Sequence, residues 1–220
     1  MNVVIFGATG MVGQGALRAC LLDPLVQKIL VIGRTPAGRS HPKLRELIRG
    51  DLGDYAGLEP DLQGYDACFY CLGVSSSGMD ERSYTRTTYD VTLAAATVLS
   101  RLNPAMTFLY VSGAGTDSSE RGRVMWARVK GRTENALRQL PFKAVYLLRP
   151  GAIQPLHGIR SKTRAYRLFY GLAGPLLTVL RHLAPQWILT TDSLGRAMIS
   201  IGRHGAGKAV LESRDLYAIS

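Results

Sequence analysis

The chain has 220 residues, 46% of them hydrophobic, enough to bury one substantial core, and a single domain over 1–220 is expected, with 151–220 as a variable substrate or lid part. Its formal net charge of +11 favours encounter with polyanions, but the Arg and Lys residues are scattered and no helix-turn-helix, zinc-binding or RNP-type motif accompanies them, which argues against a specific nucleic-acid reader. Three cysteines make no disulfide framework and no charged, apolar leader precedes the first strand-like run, so a cytoplasmic location is expected.

The N-terminal run Asn2-Val3-Val4-Ile5-Phe6 predicts a buried strand, leading directly into Gly7-Ala8-Thr9-Gly10-Met11-Val12-Gly13 and an apolar helix pattern over Gly10 to Leu22. Each glycine has a separate task in a dinucleotide-binding turn. Gly7 permits the tight exit from the strand, Gly10 lets the backbone approach a pyrophosphate, and Gly13 lets the helix lie close to the sheet. First-turn amides then face the anion at the positive end of the helix dipole, so Thr9, Met11 and Val12 join the glycines as candidate cofactor contacts. The motif carries weight because it sits at a strand-to-helix junction; the glycine spacing alone is weak.

A second strand, Ile29 to Ile32, ends at Gly33-Arg34-Thr35. Proteins that prefer NAD usually place an acid at this tip for the ribose diol. Arg34 suits the additional phosphate of NADP, with Thr35, Arg39 or Ser40 assisting, so NADP is the expected cofactor and NAD the lesser alternative. A third strand is expected at Leu47 to Arg49; past it, Asp51 is placed to accept from an adenine amino group, with Leu52 beside it. The fourth strand, Ala67 to Cys71, holds a CxxC. Side chains three apart on a strand face opposite ways, so Cys68 and Cys71 are read as core cysteines and no metal site is expected. At Leu72-Gly73 a small residue lets the chain pass beside the cofactor phosphates.

Helices are expected at Thr88 to Leu102 and Val124 to Leu140, with strands at Thr107 to Val111 and Ala144 to Leu148. Alternation of this kind predicts an α/β, Rossmann-type doubly wound parallel sheet, here with a small C-terminal helical elaboration. After Pro150 the alternation stops. Ser161 to Pro185 mixes apolar and basic residues, and its apolar stretch Leu168 to Leu180 is shorter than the ~20 residues a bilayer span needs. A packed helix pair, a substrate lid or partner surface, and a membrane-surface helix remain open for it. An amphipathic helix near Asp192 to Gly202 and a strand around Ala209 to Glu212 close the pattern. Between them, Gly202-Arg203-His204-Gly205-Ala206-Gly207-Lys208 has phosphate-loop spacing. Ala209 stands where the magnesium-holding hydroxyl belongs and a strand follows, so this segment is read as a turn.

The opening glycine motif is followed, in order, by Cys71-Leu72-Gly73, Tyr110-Val111-Ser112, Val129-Lys130-Gly131 and Leu148-Arg149-Pro150-Gly151. In that ordered set the chain resembles the atypical short-chain dehydrogenase/reductases, especially the Tat-interactive-protein-like oxidoreductases and bacterial NAD(P)-dependent epimerase-like proteins. The likeness covers residues 1–155 well and the remainder loosely. It implies hydride exchange between C4 of a nicotinamide and a carbinol carbon, on a small carbonyl, hydroxyl or sugar substrate. It also implies a tyrosine that trades the hydroxyl proton, a lysine one helical turn later that lowers the phenol's pKa and binds the nicotinamide ribose, and a serine that orients the substrate oxygen. Lys130 matches the lysine and Ser112 the serine, with Thr116 as its substitute. Trp126 stands in the tyrosine's place, and indole has no proton to give at neutral pH.

Three readings stay open. Tyr84, Tyr89 or Asp80 serves as acid or base; the chemistry needs only hydride delivery; or the chain binds NADP without turnover, as a cofactor-sensing interaction or regulatory protein. A monomer or homodimer is implied.

Overall fold

The computed structural model describes residues 1–159 and 188–220. The basic, apolar segment Ser161 to Pro185, and the lid reading attached to it, lie outside the described residues. In chain order, β1 (Asn2–Phe6) is followed by α1 (Met11–Leu22), β2 (Lys28–Gly33), β3 (Leu44–Ile48) and β4 (Ala67–Tyr70). Next come α2 (Glu81–Thr85), a π-helical turn (Arg86–Asp90), α3 (Val91–Leu102), β5 (Thr107–Val111), α4 (Met125–Leu137) and β6 (Ala144–Arg149). A short pair, β7 (Ala152–Gln154) and β8 (Ile188–Thr190), precedes α5 (Thr191–His204), β9 (Val210–Glu212) and α6 (Ser213–Ile219).

Val3 to Phe6 are all buried, as a strand covered on both faces requires. The sheet has seven parallel strands in the order β3-β2-β1-β4-β5-β6-β9. Because side chains alternate, Val3, Ile5, Val31, Phe69 and Leu109 pack against α1, α5 and α6 on one face. Val4, Phe6, Leu30, Tyr70, Phe108 and Tyr110 pack against α3 and α4 on the other. A doubly wound α/β fold follows, with helices on both faces. Cys68 belongs to one core and Cys71 packs against the other, as the strand alternation requires.

Several boundaries differ from the sequence expectations. The third strand is Leu44–Ile48 and ends before Arg49. It is a half-exposed edge strand whose charged centre hides the apolar pattern: Arg45 pairs with Asp61 at 2.6 Å, and Glu46 accepts from the Ala37 amide at 2.7 Å. The helical run expected from Thr88 starts at Glu81, where Asp80 caps α2 by accepting from the Ser83 amide at 2.7 Å. Arg- and Thr-rich, that first stretch has no apolar periodicity to announce it. The helix expected to reach Leu140 stops at Leu137, and β7, β8 and α6 were not anticipated, being too short to give a periodic signal. The phosphate-loop look-alike is only partly the expected turn: Gly202 to His204 belong to α5, and Gly205 ends that helix at φ +74° with its amide bonded to the Ile201 carbonyl.

Candidate functional site

β1 lies where the sheet order reverses, with β2 on one side and β4 on the other. Loops leaving the two halves diverge there, opening a crevice at the C-terminal ends of the strands. Gly7 has φ +74°, and a Cβ on it would stand 2.6 Å from the Cys71 carbonyl oxygen. A Cβ on Gly13 would stand 2.1 Å from the Gly7 carbonyl oxygen. The loop is thus closed against both the neighbouring strand end and the first turn of α1. Gly10 is the N-cap of α1 in extended backbone; among the described residues no side chain caps this end and no acid occupies its first turn. The helix's positive end therefore meets the crevice unneutralised, which fits a diphosphate.

Two cavities flank this loop. One, about 360 Å³, is bounded by Gly7, Ala8 and Thr9, by Gly33, Arg34 and Thr35 at the end of β2, and by Leu52 and Leu72. The other, about 560 Å³, begins at Gly10, Met11 and Val12 and is walled by Cys71, Gly73, Tyr84, Ser112, Trp126 and Lys130. Consecutive loop residues thus serve one cavity and then the other. A molecule with two ends joined by a diphosphate matches this shape.

In the second cavity the serine is not free to donate. Ser112 Oγ lies 2.6 Å from Glu134 Oε1 and 3.2 Å from the Leu148 carbonyl oxygen, both acceptors, so its one proton is committed inward and its lone pairs are left for the cavity. Glu134 is fully buried and is paired with Arg149, whose Nε donates to Oε1 at 3.1 Å and whose Nη2 donates to Oε2. Lys130, half-buried, donates from Nζ to the Ser112 carbonyl oxygen, so strand end and helix α4 are tied at the cavity wall. Burial pushes the Lys130 ammonium pKa down to about 8, with the Glu134 charge pulling it back up. Trp126 stands one turn before it, its ring packed against Gly115, where a Cβ would lie 3.6 Å from the indole edge.

The remaining candidates divide clearly. Tyr84 is buried and lines the second cavity. Tyr89 lies outside it, its ring 5.0 Å from the Arg132 guanidinium, and Asp80 is spent on capping α2. Thr116 bonds the Gly113 carbonyl at 2.8 Å and does not line the cavity. Asp51 is exposed, accepts from the Gly53 amide at 2.7 Å and does not line the first cavity, whereas its neighbour Leu52 does. Thr35 stands with Arg34; Arg39 and Ser40 do not. The sequence pattern assigns no role to Glu134, on the helix expected at Val124 to Leu140, or to Arg149, within Leu148-Arg149-Pro150-Gly151; the helical spacing of Lys130 and Glu134 was the available signal.

No family model matches the sequence. Among curated relatives, the mitochondrial protein fmp52 of Aspergillus clavatus is 29% identical over 213 residues, covering 91% of this chain and 86% of its own. Rat HTATIP2 is 27% identical over 155 residues, covering 69% and 62%. The solved structure of Bordetella bronchiseptica WbmF with NAD+ superposes with a TM-score of 0.69 at 16% identity, over 99% of this chain and 76% of that one. A Burkholderia thailandensis oxidoreductase of the short-chain dehydrogenase/reductase family gives 0.70 at 14%, over 100% and 93%. In sequence the chain is similar to fmp52 and HTATIP2, and its fold is the Rossmann-type α/β fold seen in these short-chain dehydrogenase/reductase and epimerase structures.

The expected cytoplasmic location is corrected: the fmp52 relatives, from several fungi, are named mitochondrial proteins, which contradicts it. Free cysteines report a reducing environment, not an address. Among the described residues no helix is long and apolar enough to cross a membrane.

Proposed function

We propose that the chain binds NADP along the crevice and acts as an oxidoreductase or epimerase-like protein on a small hydroxyl or carbonyl compound. The observation that carries this reading is the pair of cavities joined at an uncapped helix end, with Arg34 in one and Ser112 and Lys130 in the other. Gly7 to Gly13 would hold the diphosphate, Leu52 and Leu72 the adenosine end, and Arg34 its additional phosphate. Gly73 gives the chain room to pass, and Lys130 would reach the nicotinamide ribose. When bound, the cofactor supplies hydride exchange at C4 of its nicotinamide.

In this cavity Ser112 would present lone pairs and no proton to a bound polar donor, because its own proton is directed to Glu134. Fluorescence titration with NADPH and NADH tests the cofactor assignment. NADPH is expected to bind at least ~10-fold more tightly, equal to ~1.4 kcal/mol, and Arg34→Asp to abolish that preference. Binding of neither nucleotide, or a preference for NADH, overturns it.

A second reading, a cofactor-sensing protein without turnover, is favoured by Trp126. Transfer of deuteride from labelled NADPH to any member of a carbonyl panel would remove it.

A further inference from the structure

Trp126 denies the second cavity the phenol that a carbinol proton would meet, yet the lysine that accompanies such a phenol is present. Lys130 reaches the cavity from α4. Its Nζ is fixed by the Ser112 carbonyl oxygen and lies 5.9 Å from the centre of the Tyr110 ring. Glu134 on its own helix and Tyr110 on β5 lie beside it, and Tyr84 on α2 and Cys71 just past β4 line the same cavity. Glu134 is engaged by Arg149 and Ser112. Burial raises the Cys71 thiol to about 12 and the Tyr110 phenol well above its ordinary value, so neither trades a proton near neutrality. The same burial lowers the lysine, which brings its two charge states within reach of neutral pH.

We propose that Lys130 is itself the catalytic acid and base of this cavity, its amine taking the proton of a bound substrate hydroxyl and its ammonium returning it. The proposal rests on the preceding reading that a hydroxyl or carbonyl substrate occupies the cavity. In one direction the substrate O–H bond breaks and an N–H bond forms on Nζ, turning amine into ammonium; in the other the ammonium N–H breaks as O–H forms on the alkoxide. Lys130 carries only the proton. The electron pair of the redox change belongs to the nicotinamide chemistry already named.

The test uses the full chain, which contains six lysines: Lys28, Lys43, Lys130, Lys143, Lys162 and Lys208. With 13C-labelled lysine, NMR is expected to show one side-chain resonance titrating at about pH 8 that is missing from Lys130→Arg and retained in Tyr84→Phe. A Lys130 resonance that titrates near the ordinary lysine value of about 10.4 overturns the proposal.

A second readout needs no variant. During brief reaction with trinitrobenzenesulfonate at about pH 8, Lys130 is expected to be modified roughly tenfold faster than exposed Lys28, since its larger neutral fraction outweighs its lower nucleophilicity. Slower modification than Lys28 shows an amine that small molecules do not reach, which also overturns it. Failure of the cofactor reading is seen separately, as NADP and NAD that give no calorimetric heat and leave the Lys130 resonance unmoved. A lysine titrating near 10 in protein that still binds NADP sinks this proposal alone.

Discussion

Glu134 shows how much one residue can organise. It has no exposed surface, accepts a hydrogen bond from the Ser112 hydroxyl and is clamped by Arg149, so it sets the serine's donor direction from behind the cavity. Glu134→Ala leaves a largely buried guanidinium without its partner and is expected to destabilise the fold by ~3–5 kcal/mol, measured by urea unfolding. Lys130 makes a prediction of opposite character. Its folded pKa of about 8 lies below the unfolded value, so above about pH 8 the unfolded chain holds a proton that the folded chain has released. Stability conferred by this residue therefore rises with pH between about 8 and 10, and Lys130→Met should flatten that rise in urea titrations. The roles of Gly7 and Gly13 were legible in sequence, because a turn and a close approach are demanded by neighbours a few residues away. The Glu134 and Arg149 pair was not, since it joins residues 15 apart on separate elements.

At the scale of elements, α5 is the best-specified helix. Thr190 and Ser193 form a reciprocal capping box, with the Thr190 hydroxyl accepting from the Ser193 amide at 2.9 Å. Thr190→Ala is expected to lose ~1 kcal/mol in thermal or urea unfolding. The far end of α5 is tied to the end of α1 by Arg203 and Asp23 at 2.5 Å. Desolvation opposes ionisation of Asp23, but the Leu25 amide and Arg203 outweigh it and hold the carboxyl below its ordinary range. Stability from this carboxylate is present above its unfolded pKa and lost as the pH falls through the lower folded one. Melting temperatures should drop from about pH 5 to about pH 3 more steeply in the wild type than in Asp23→Asn. Helix α2 shows what period-based reading misses: its signal is the Asp80 cap, while its Arg and Thr residues carry no apolar stripe.

At the scale of the whole molecule, the reversal of strand order at β1 places the glycine loop, the tip of β2 and the walls around Ser112 on one edge of the sheet. A net charge of +11 also surrounds that edge with a field favourable to phosphates. Added salt should weaken NADPH binding more than NADH binding, because the additional phosphate meets an exposed Arg34; equal salt dependence in parallel titrations would contradict that placement.

Chain-local chemistry sufficed for the strand, glycine loop and helix at the start and for the α/β alternation. Periodicity, glycine geometry and side-chain identity act over a handful of residues. Packing across β5, β6, α2 and α4 settled the rest: that Tyr84 enters the cavity while Tyr89 and Asp80 do not, which way the Ser112 proton points, and how far Lys130 is stripped of water. Those properties depend on surfaces brought together from distant parts of the chain, and a linear pattern carries no record of which polar group ends up facing which.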